Sequence, residues 1–261
     1  MGTLSQAVEA QARRAIERLL GIDTLYGLCR TLSLTPETFS AKILDAMRIR
    51  TEWSGLPLSG IPATGPLVVV ANHPYGLIEG LALDALLLSR RPDVTVMVWH
   101  MVAKLPGALD RGIYVDPLRH PDNRTLNIQG FRKAIGLLSR GGALMVFPAG
   151  QVARFSWSRG AVVDPPWNPH IARLVRRTRA AVVPVYFHGR NGLPFQLAAV
   201  AMPRLHQSLV VREVNNKRGT TLRATVGPLI APEDIAHFAT DQEAIDFLRH
   251  RTEALAATSA S

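Results

Sequence analysis

The stretch LVVVANHPYGLIEGLALDALLL, residues 67–88, decides the fold that this sequence predicts. It opens with an apolar run at 67–71, whose length and valine content are typical of a buried strand. The turn-forming residues NHPYG follow, and the apolar run at 81–88 is long enough for a helix. His73 and Glu79 therefore lie on either side of a tight turn at a strand-to-helix junction, where open α/β sheets bind ligands.

His73 and Glu79 are a candidate acid–base pair. A neutral imidazole accepts a proton near pH 7, and a carboxylate on its other nitrogen fixes the tautomer and stabilises the imidazolium. The two residues are six positions apart, too far to meet on one helix face. They meet only if the turn folds back, and Gly76 allows the positive φ that such a turn needs. From the residues alone, a loop histidine beside a helix-opening glutamate remains open as the alternative.

Three later segments extend the pattern: GIYVDPLR at 112–119, VFPAGQVAR at 146–154 and VVPVYFHGRN at 182–191. Together with NHPYGLIEG, they resemble, in order, the four motifs of the phospholipid/glycerol acyltransferase superfamily. The resemblance covers roughly residues 60–230, and the NHPYGLIEG and FPAG forms resemble the hemolysin-like branch. The usual superfamily pattern has four residues between its histidine and an aspartate. Here five residues separate His73 from a glutamate, and Ala149 stands where glutamate is common.

The resemblance implies roles for individual residues. His73 would deprotonate an acceptor hydroxyl, and Glu79 would orient and polarise His73. In the second motif of the superfamily, an arginine helps to hold the acceptor head group. The resemblance assigns this role to Arg119, with Arg111 as a competing candidate. Pro184 matches the fourth motif, near the acyl-donor site. The residues that we assign to substrate binding are Asn72, Arg119, Phe147, Pro148, Gly150, Arg154 and Pro184.

The resemblance also implies a fold and an activity. The fold is α/β of the glycerol-3-phosphate acyltransferase type, with a mostly parallel central sheet flanked by helices. The activity is acyl transfer from acyl-CoA or acyl carrier protein to the hydroxyl of a lysophospholipid-type acceptor in membrane lipid synthesis. These donors are co-substrates, and neither a cofactor nor a metal is expected. The altered third motif leaves a lyso-ornithine or other amino-acid lipid as an alternative acceptor, and a non-catalytic membrane-binding module is the alternative from another class.

Composition narrows the partners. The 261 residues carry a net charge of +10, which attracts a membrane surface, nucleic acid or phosphorylated substrates, unless the charge serves solubility alone. No zinc-finger spacing or RNA-binding aromatic signature is present, so we expect no nucleic-acid partner. The single cysteine, Cys29, excludes an intramolecular disulfide. Without a signal peptide or an apolar run of about 18 residues, we expect a cytoplasmic protein in peripheral contact with the inner face of the cell membrane.

The sequence predicts an N-terminal helical segment at 1–51, a Gly-, Pro- and Ser-rich linker at 52–66 and an α/β acyltransferase domain at 67–261. The N-terminal segment would hold helices at 5–21 and 24–32 and a third capped by Thr35; they pack on the domain or lie on a membrane. Further predicted strands are 94–98, 112–115, 143–147, 181–187, 209–214 and 222–226. Further predicted helices are 125–139, one that begins after Asn168, and one within 234–256. This alternation indicates a mostly parallel sheet covered on both faces.

Overall fold

The computed structural model describes residues 22–104, 111–118, 120–201 and 206–259. Its strands, in chain order, are β1 (Arg50–Gly55), β2 (Leu67–Ala71), β3 (Val94–Trp99), β4 (Gly112–Val115), β5 (Ala143–Val146), β6 (Arg154–Ser156), β7 (Ala161–Val163), β8 (Ala181–Phe187) and β9 (Thr221–Val226). Within the described ranges, seven of them form one sheet in the order β1-β9-β8-β2-β5-β3-β4, and β6 pairs with β7 in a separate hairpin. Neighbours in the large sheet run parallel except β8 and β9. The predicted fold class is confirmed.

Helices cover both faces of the sheet. In chain order they are α1 (Ile22–Thr31), α2 (Phe39–Ala46), α3 (Ile78–Leu88), α4 (Arg124–Ser139), α5 (Pro169–Thr178), α6 (Leu193–Ala201), α7 (His206–Asn216), α8 (Pro232–Ala236) and α9 (Asp241–Glu253). Short 3₁₀ turns lie at Leu58–Gly60, His100–Lys104, Pro121–Asn123 and Ala254–Ser259. Within the described ranges, no helix combines the length and apolar character that crossing a bilayer requires.

Strand β2 explains why both faces need cover. Successive side chains of a strand point to opposite faces. Val69 belongs to the core that α2 and α3 complete, whereas Val68 and Val70 belong to the core under α4, α5 and α9. All five residues of β2 are fully buried, which explains why this central parallel strand is an uninterrupted apolar run in the sequence. This burial places β2 at the middle of the sheet, between β5 and β8.

The predicted linker at 52–66 is wrong over its first four residues. These belong to β1, which pairs in parallel with β9 at the edge of the sheet. Only one of the six β1 residues, Trp53, is even partly buried, and its ring lies against Phe187 at 5.8 Å between centroids. This exposed edge strand carries no alternation of apolar and polar residues, so no strand signal is present there in the sequence. Gly55, with φ 85°, ends the strand.

The predicted strand at 209–214 is also wrong, because these residues lie within helix α7. Val210 and Val214 are four positions apart and therefore share a helix face. Val214 is buried in the core, and Val210 faces the glycine of the 72–77 turn. A short apolar run does not distinguish a strand from a buried helix segment, and here packing against the turn favours the helix.

The remaining predicted elements differ mainly at their ends. The strands predicted at 112–115 and 181–187 are confirmed at both ends, and the Asn168 cap is confirmed, since its side chain accepts a hydrogen bond from the amide of His170. The Thr35 cap is wrong, because 36–38 form a turn and α2 begins at Phe39. The helix predicted within 234–256 is confirmed as α9, which is opened by a capping box at Thr240 and follows the separate short helix α8. The helix predicted at 5–21 lies outside the described residues.

Candidate active site

The turn after β2 brings His73 and Glu79 together. Gly76 has a φ of 112°, a conformation that a side chain rarely tolerates, and a Cβ there would also collide with Val210. The chain therefore folds back, and His73 Nδ1 lies 3.1 Å from Glu79 Oε1. The His73 side chain is 14% exposed, whereas that of Glu79 is completely buried. The folded-back turn that the spacing of His73 and Glu79 required is therefore present.

The position of Glu79 is set by the backbone of the turn. Its Oε1 accepts hydrogen bonds from the amides of Tyr75, at 2.8 Å, and Gly76, at 2.7 Å. The contact with His73 is close but not aligned as a hydrogen bond, because Nδ1 and Glu79 Oε2 each lack a hydrogen-bond partner among the described residues. Glu79 thus fixes the turn and also places a buried carboxylate behind the imidazole, a position from which a carboxylate can stabilise an imidazolium.

Other elements hold His73 in place. Its ring stacks on Phe147, which directly follows β5, with 4.4 Å between ring centroids. Its main-chain carbonyl accepts from the amide of Ala153 at 2.8 Å, and its own amide donates to Asp164 Oδ1 at 3.0 Å. Asp164 also accepts from Trp167 Nε1. Burial raises the pKa of Asp164, and the hydrogen bonds from Trp167 and His73 oppose that rise. The sequence analysis missed Asp164, which lies 91 positions from His73 and in none of the four motifs.

His73 lines a cavity of about 1190 Å³ at the carboxyl edge of the parallel strands. Apolar side chains from both sheet faces contribute to it. On the α3 face they include Phe39, Leu77, Leu81, Val96 and Val98; between α4 and α5 they include Ile128, Phe131, Ile135 and Leu174. The lining is therefore largely apolar, with His73 as one of three imidazoles beside those of His120 and His170, a combination that suits a lipid-like substrate with a reacting polar group.

Arginines line the same cavity. Arg124, Arg132 and Arg177 lie on α4 and α5, and none of them forms a hydrogen bond or ion pair through its side chain with another described residue. Their charge is therefore available to an anionic ligand. Arg177 and Arg173, which also lines the cavity, are both exposed, and neither lies in any of the four motifs that the sequence analysis connected with the site.

A family profile described as acyltransferase matches residues 3–257. The chain belongs to this acyltransferase family. Its structure is similar to the crystal structure of the 1-acyl-sn-glycerophosphate (LPA) acyltransferase PlsC from Thermotoga maritima, with a TM-score of 0.55. The sequences are 16% identical, and the match covers 87% of this chain and 79% of that one. At this identity the likeness shows the fold. The comparison with curated proteins gave no match.

Four of the predicted substrate-binding residues of this acyltransferase line the cavity: Phe147, Pro148, Gly150 and Arg154. Two do not. Asn72 uses both polar atoms on the backbone of β8, donating to the Phe187 carbonyl at 3.0 Å and accepting from its amide at 2.7 Å. Pro184 is buried within β8. Neither residue lines the cavity, and the assignment of both to substrate binding stays a prediction.

The structure describes only one of the two arginines proposed to hold the head group. Arg119 lies outside the described residues. Arg111 is a structural tie: it donates to the carbonyls of Pro36, at 2.8 Å, and Val94, at 2.9 Å, and pairs with the buried Asp84 at 3.3 Å. It does not line the cavity.

Within the described ranges, no three His, Cys, Asp or Glu side chains are grouped as metal ligands.

Asp116, the acid of the second motif, holds the turn between β4 and α4. Its Oδ2 accepts from His120 Nδ1 at 2.7 Å and from Asn123 at 2.9 Å, and its Oδ1 accepts from the amide of Leu118 at 3.0 Å. Burial raises the pKa of Asp116, but these hydrogen bonds outweigh it and lower the pKa to about 2. Because Asp116 also lines the cavity, this network shapes the wall that the second motif contributes.

Asp116→Asn is expected to make the acyltransferase less stable at neutral pH but less sensitive to acid. A carboxylate whose pKa falls from 3.8 to about 2 on folding stabilises the protein above pH 3.8, and the stabilisation is lost as the pH falls towards 2. The variant should lose about 2 kcal/mol of unfolding free energy at neutral pH, and the difference should shrink at about pH 2.5. Urea unfolding at both pH values measures this. Asp122→Asn, an exposed change in the same turn, is the control; an equal loss at both pH values would contradict the linkage.

Proposed function

We propose that this acyltransferase moves a fatty acyl group from acyl-CoA or acyl carrier protein to the hydroxyl of a lysophospholipid-type acceptor in membrane lipid synthesis. The proposal depends on one observation: a partly exposed imidazole, with a buried carboxylate 3.1 Å behind it, lines a large and mostly apolar cavity. Such a cavity accommodates acyl chains, while the imidazole supplies the one group that the chemistry requires.

In the proposed reaction His73 acts as general base. Its Nδ1 faces Glu79, so Nε2 is the nitrogen left to face the cavity. Nε2 takes the proton of the acceptor hydroxyl, and the oxygen attacks the carbonyl carbon of the thioester. The carbon–sulfur bond then breaks, and the imidazolium returns the proton to the departing thiolate. Glu79 stabilises the imidazolium between the two steps.

Transfer is proposed to be direct, with no acyl-enzyme. The single cysteine, Cys29, is buried in the core and does not line the cavity. The thioester brings its own activated acyl group, so no further cofactor is needed. The unpaired arginines described above would attract the phosphate groups of donor and acceptor. The positive net charge would also favour peripheral contact with the cytoplasmic face of the cell membrane.

A second acceptor class is favoured by one position. Ala149 lines the cavity between Pro148 and Gly150, where the resembling motif commonly has glutamate. An alanine there offers no charge to a head group, so the head-group contacts differ from those of the usual pattern. Lyso-ornithine lipid or another amino-acid lipid is therefore the alternative acceptor.

Acyl transfer by the purified protein tests the proposal. Labelled acyl-CoA and labelled acyl carrier protein are each offered with lysophosphatidate and with lyso-ornithine lipid, and the labelled product lipid is measured. Label in the phospholipid product supports the proposed acceptor class, and label in the ornithine lipid alone supports the alternative. A folded protein that labels neither acceptor from either donor would contradict both.

A further inference from the structure

Helix α6 exposes apolar side chains and buries its polar one. Its described sequence, LPFQLAAVA, holds a single polar residue, Gln196, which is buried. Leu193 and Leu197, four positions apart and so on one helix face, are 70% and 61% exposed. A surface helix of a soluble protein normally has the reverse arrangement. The outward face of α6 therefore suits an apolar surrounding better than water.

The hairpin of β6 and β7 adds an aromatic residue beside this helix. β6 packs against α6, and Gln196 Oε1 accepts a hydrogen bond from the amide of Phe155 at 2.9 Å. The ring of Phe155 in turn contacts Trp157 edge-on, with 5.0 Å between centroids. Trp157 is 79% exposed, the highest value among the exposed large apolar side chains of the described residues. Trp157, Leu193 and Leu197 are thus exposed on two elements that pack against each other, and we call these three side chains the docking surface.

Basic residues flank the docking surface. Arg159 lies in the hairpin two residues after Trp157, and Arg190 lies three residues before Leu193; both are exposed. Arg159 approaches Glu253 only at 3.9 Å. Tryptophan and leucine next to arginine are suited to the boundary of an anionic bilayer, where the ring lies at head-group level and the arginines meet the lipid charge.

The β6–β7 hairpin connects the docking surface with the cavity wall. The amide of Ala153 bonds to the His73 carbonyl, and Arg154, the first residue of β6, lines the cavity. Three residues later the chain reaches Trp157. The strand that leads to Trp157 is therefore continuous with the cavity wall that carries Arg154.

We propose that α6 and the β6–β7 hairpin bind the surface of an anionic bilayer, with Trp157, Leu193 and Leu197 inserted at the head-group boundary. The proposal takes the lipid nature of the substrate from the proposed function, but it concerns surface residues that lie outside the reacting groups. Docking in this orientation presents the cavity to the membrane, so that an acceptor keeps part of its chain in the bilayer while its hydroxyl reaches the imidazole.

Flotation with vesicles of phosphatidylglycerol and phosphatidylethanolamine tests the proposal on the full-length protein. The variant Trp157→Ser/Leu193→Gln/Leu197→Gln should bind at least about tenfold more weakly than the wild type, because three inserted side chains are lost. Leu229→Gln is the matched control: Leu229 is 42% exposed but adjoins Ile230, which bridges to the opposite end of β8 from the cavity. It should bind like the wild type. Unchanged binding of the triple variant would overturn the proposal.

Fluorescence provides a second measurement that does not depend on the folding of the triple variant. Lipids brominated near the head-group boundary should quench the emission of vesicle-bound wild type more than that of Trp157→Phe, because quenching requires contact between the ring and the bilayer. Equal quenching of the two bound proteins would overturn the proposal. A triple variant that loses self-association seen in the wild type, yet floats normally, would also overturn it and assign the surface to contact between copies.

Failure of this proposal is distinguishable from failure of the proposed function. Flotation requires no turnover and is measured equally with His73→Ala. A protein that floats through the docking surface but transfers no acyl group would contradict the proposed function and support the surface. A protein that transfers acyl groups while the triple variant floats normally would support the proposed function and contradict the docking surface.

Discussion

Replacing His73 with alanine is expected to lower kcat for acyl transfer by about 10²–10⁴-fold, the usual contribution of a positioned general base. His73 lines the cavity, is only 14% exposed and has the buried carboxylate of Glu79 behind it, whereas His120, which also lines the cavity beside a buried carboxylate, is 58% exposed. Without the imidazole, the acceptor hydroxyl must lose its proton to water as it attacks the thioester. Initial rates with labelled donor at saturating acceptor measure the effect.

The control for His73→Ala is His250→Ala. His250 is exposed in the last turn of α9 and does not line the cavity, so its removal should leave the rate unchanged. Urea unfolding of both variants shows whether any loss of rate comes from loss of structure. If His73→Ala is folded and keeps more than about a tenth of the wild-type rate, the imidazole is not the base and the proposed mechanism fails.

The sequence predicted the central part of the fold because its signals there are local. The five β2 residues form a continuous apolar run and are all fully buried, as a central parallel strand requires. The turn that follows is equally local: Glu79 takes hydrogen bonds from amides three and four residues before it. The approach of His73 to Glu79 therefore follows from a few neighbouring residues, and the spacing was enough to anticipate it.

The features that the sequence did not predict depend on contacts between residues that are far apart in the chain. Strand β1 is a strand only because β9, about 170 residues later, offers an edge to pair with. Asp164 supports His73 from a proline-rich loop that carries no pattern of its own. Asn72 illustrates the converse: it lies beside the histidine in the sequence, but its side chain bonds to the backbone of Phe187 in β8. Sequence proximity to a site does not establish contact with the substrate.

Helix α6 shows a further limit. Its sequence is apolar almost throughout, so neither periodicity nor composition distinguishes the buried face from the exposed one. The packing shows that Phe195, Ala198 and Ala199 face inward, which leaves the two leucines outside. That the helix exposes leucines, which is unusual for a protein surface, is therefore visible only in the structure.

Glu79→Gln should separate the charge of Glu79 from its role in the turn. A glutamine oxygen at the Oε1 position accepts the same hydrogen bonds from Tyr75 and Gly76, so the turn is retained. The amide group that replaces Oε2 gains no partner, and the loss of stability should be about 1 kcal/mol. Because the imidazolium loses its neighbouring carboxylate, kcat should fall by about 10²-fold, less than for His73→Ala.

Glu79→Ala is the comparison that makes this result decisive. It removes the acceptor for two amides and leaves a void beside His73, so it should cost about 2–4 kcal/mol of unfolding free energy as well as activity. Urea unfolding and initial rates, measured together on both variants, divide the effect of Glu79 into a structural part and an electrostatic part. A Glu79→Gln protein with the wild-type rate would show that the carboxylate only anchors the turn. In that case the imidazolium must be stabilised by another group, because the buried charge behind Nδ1 would contribute nothing to the transition state.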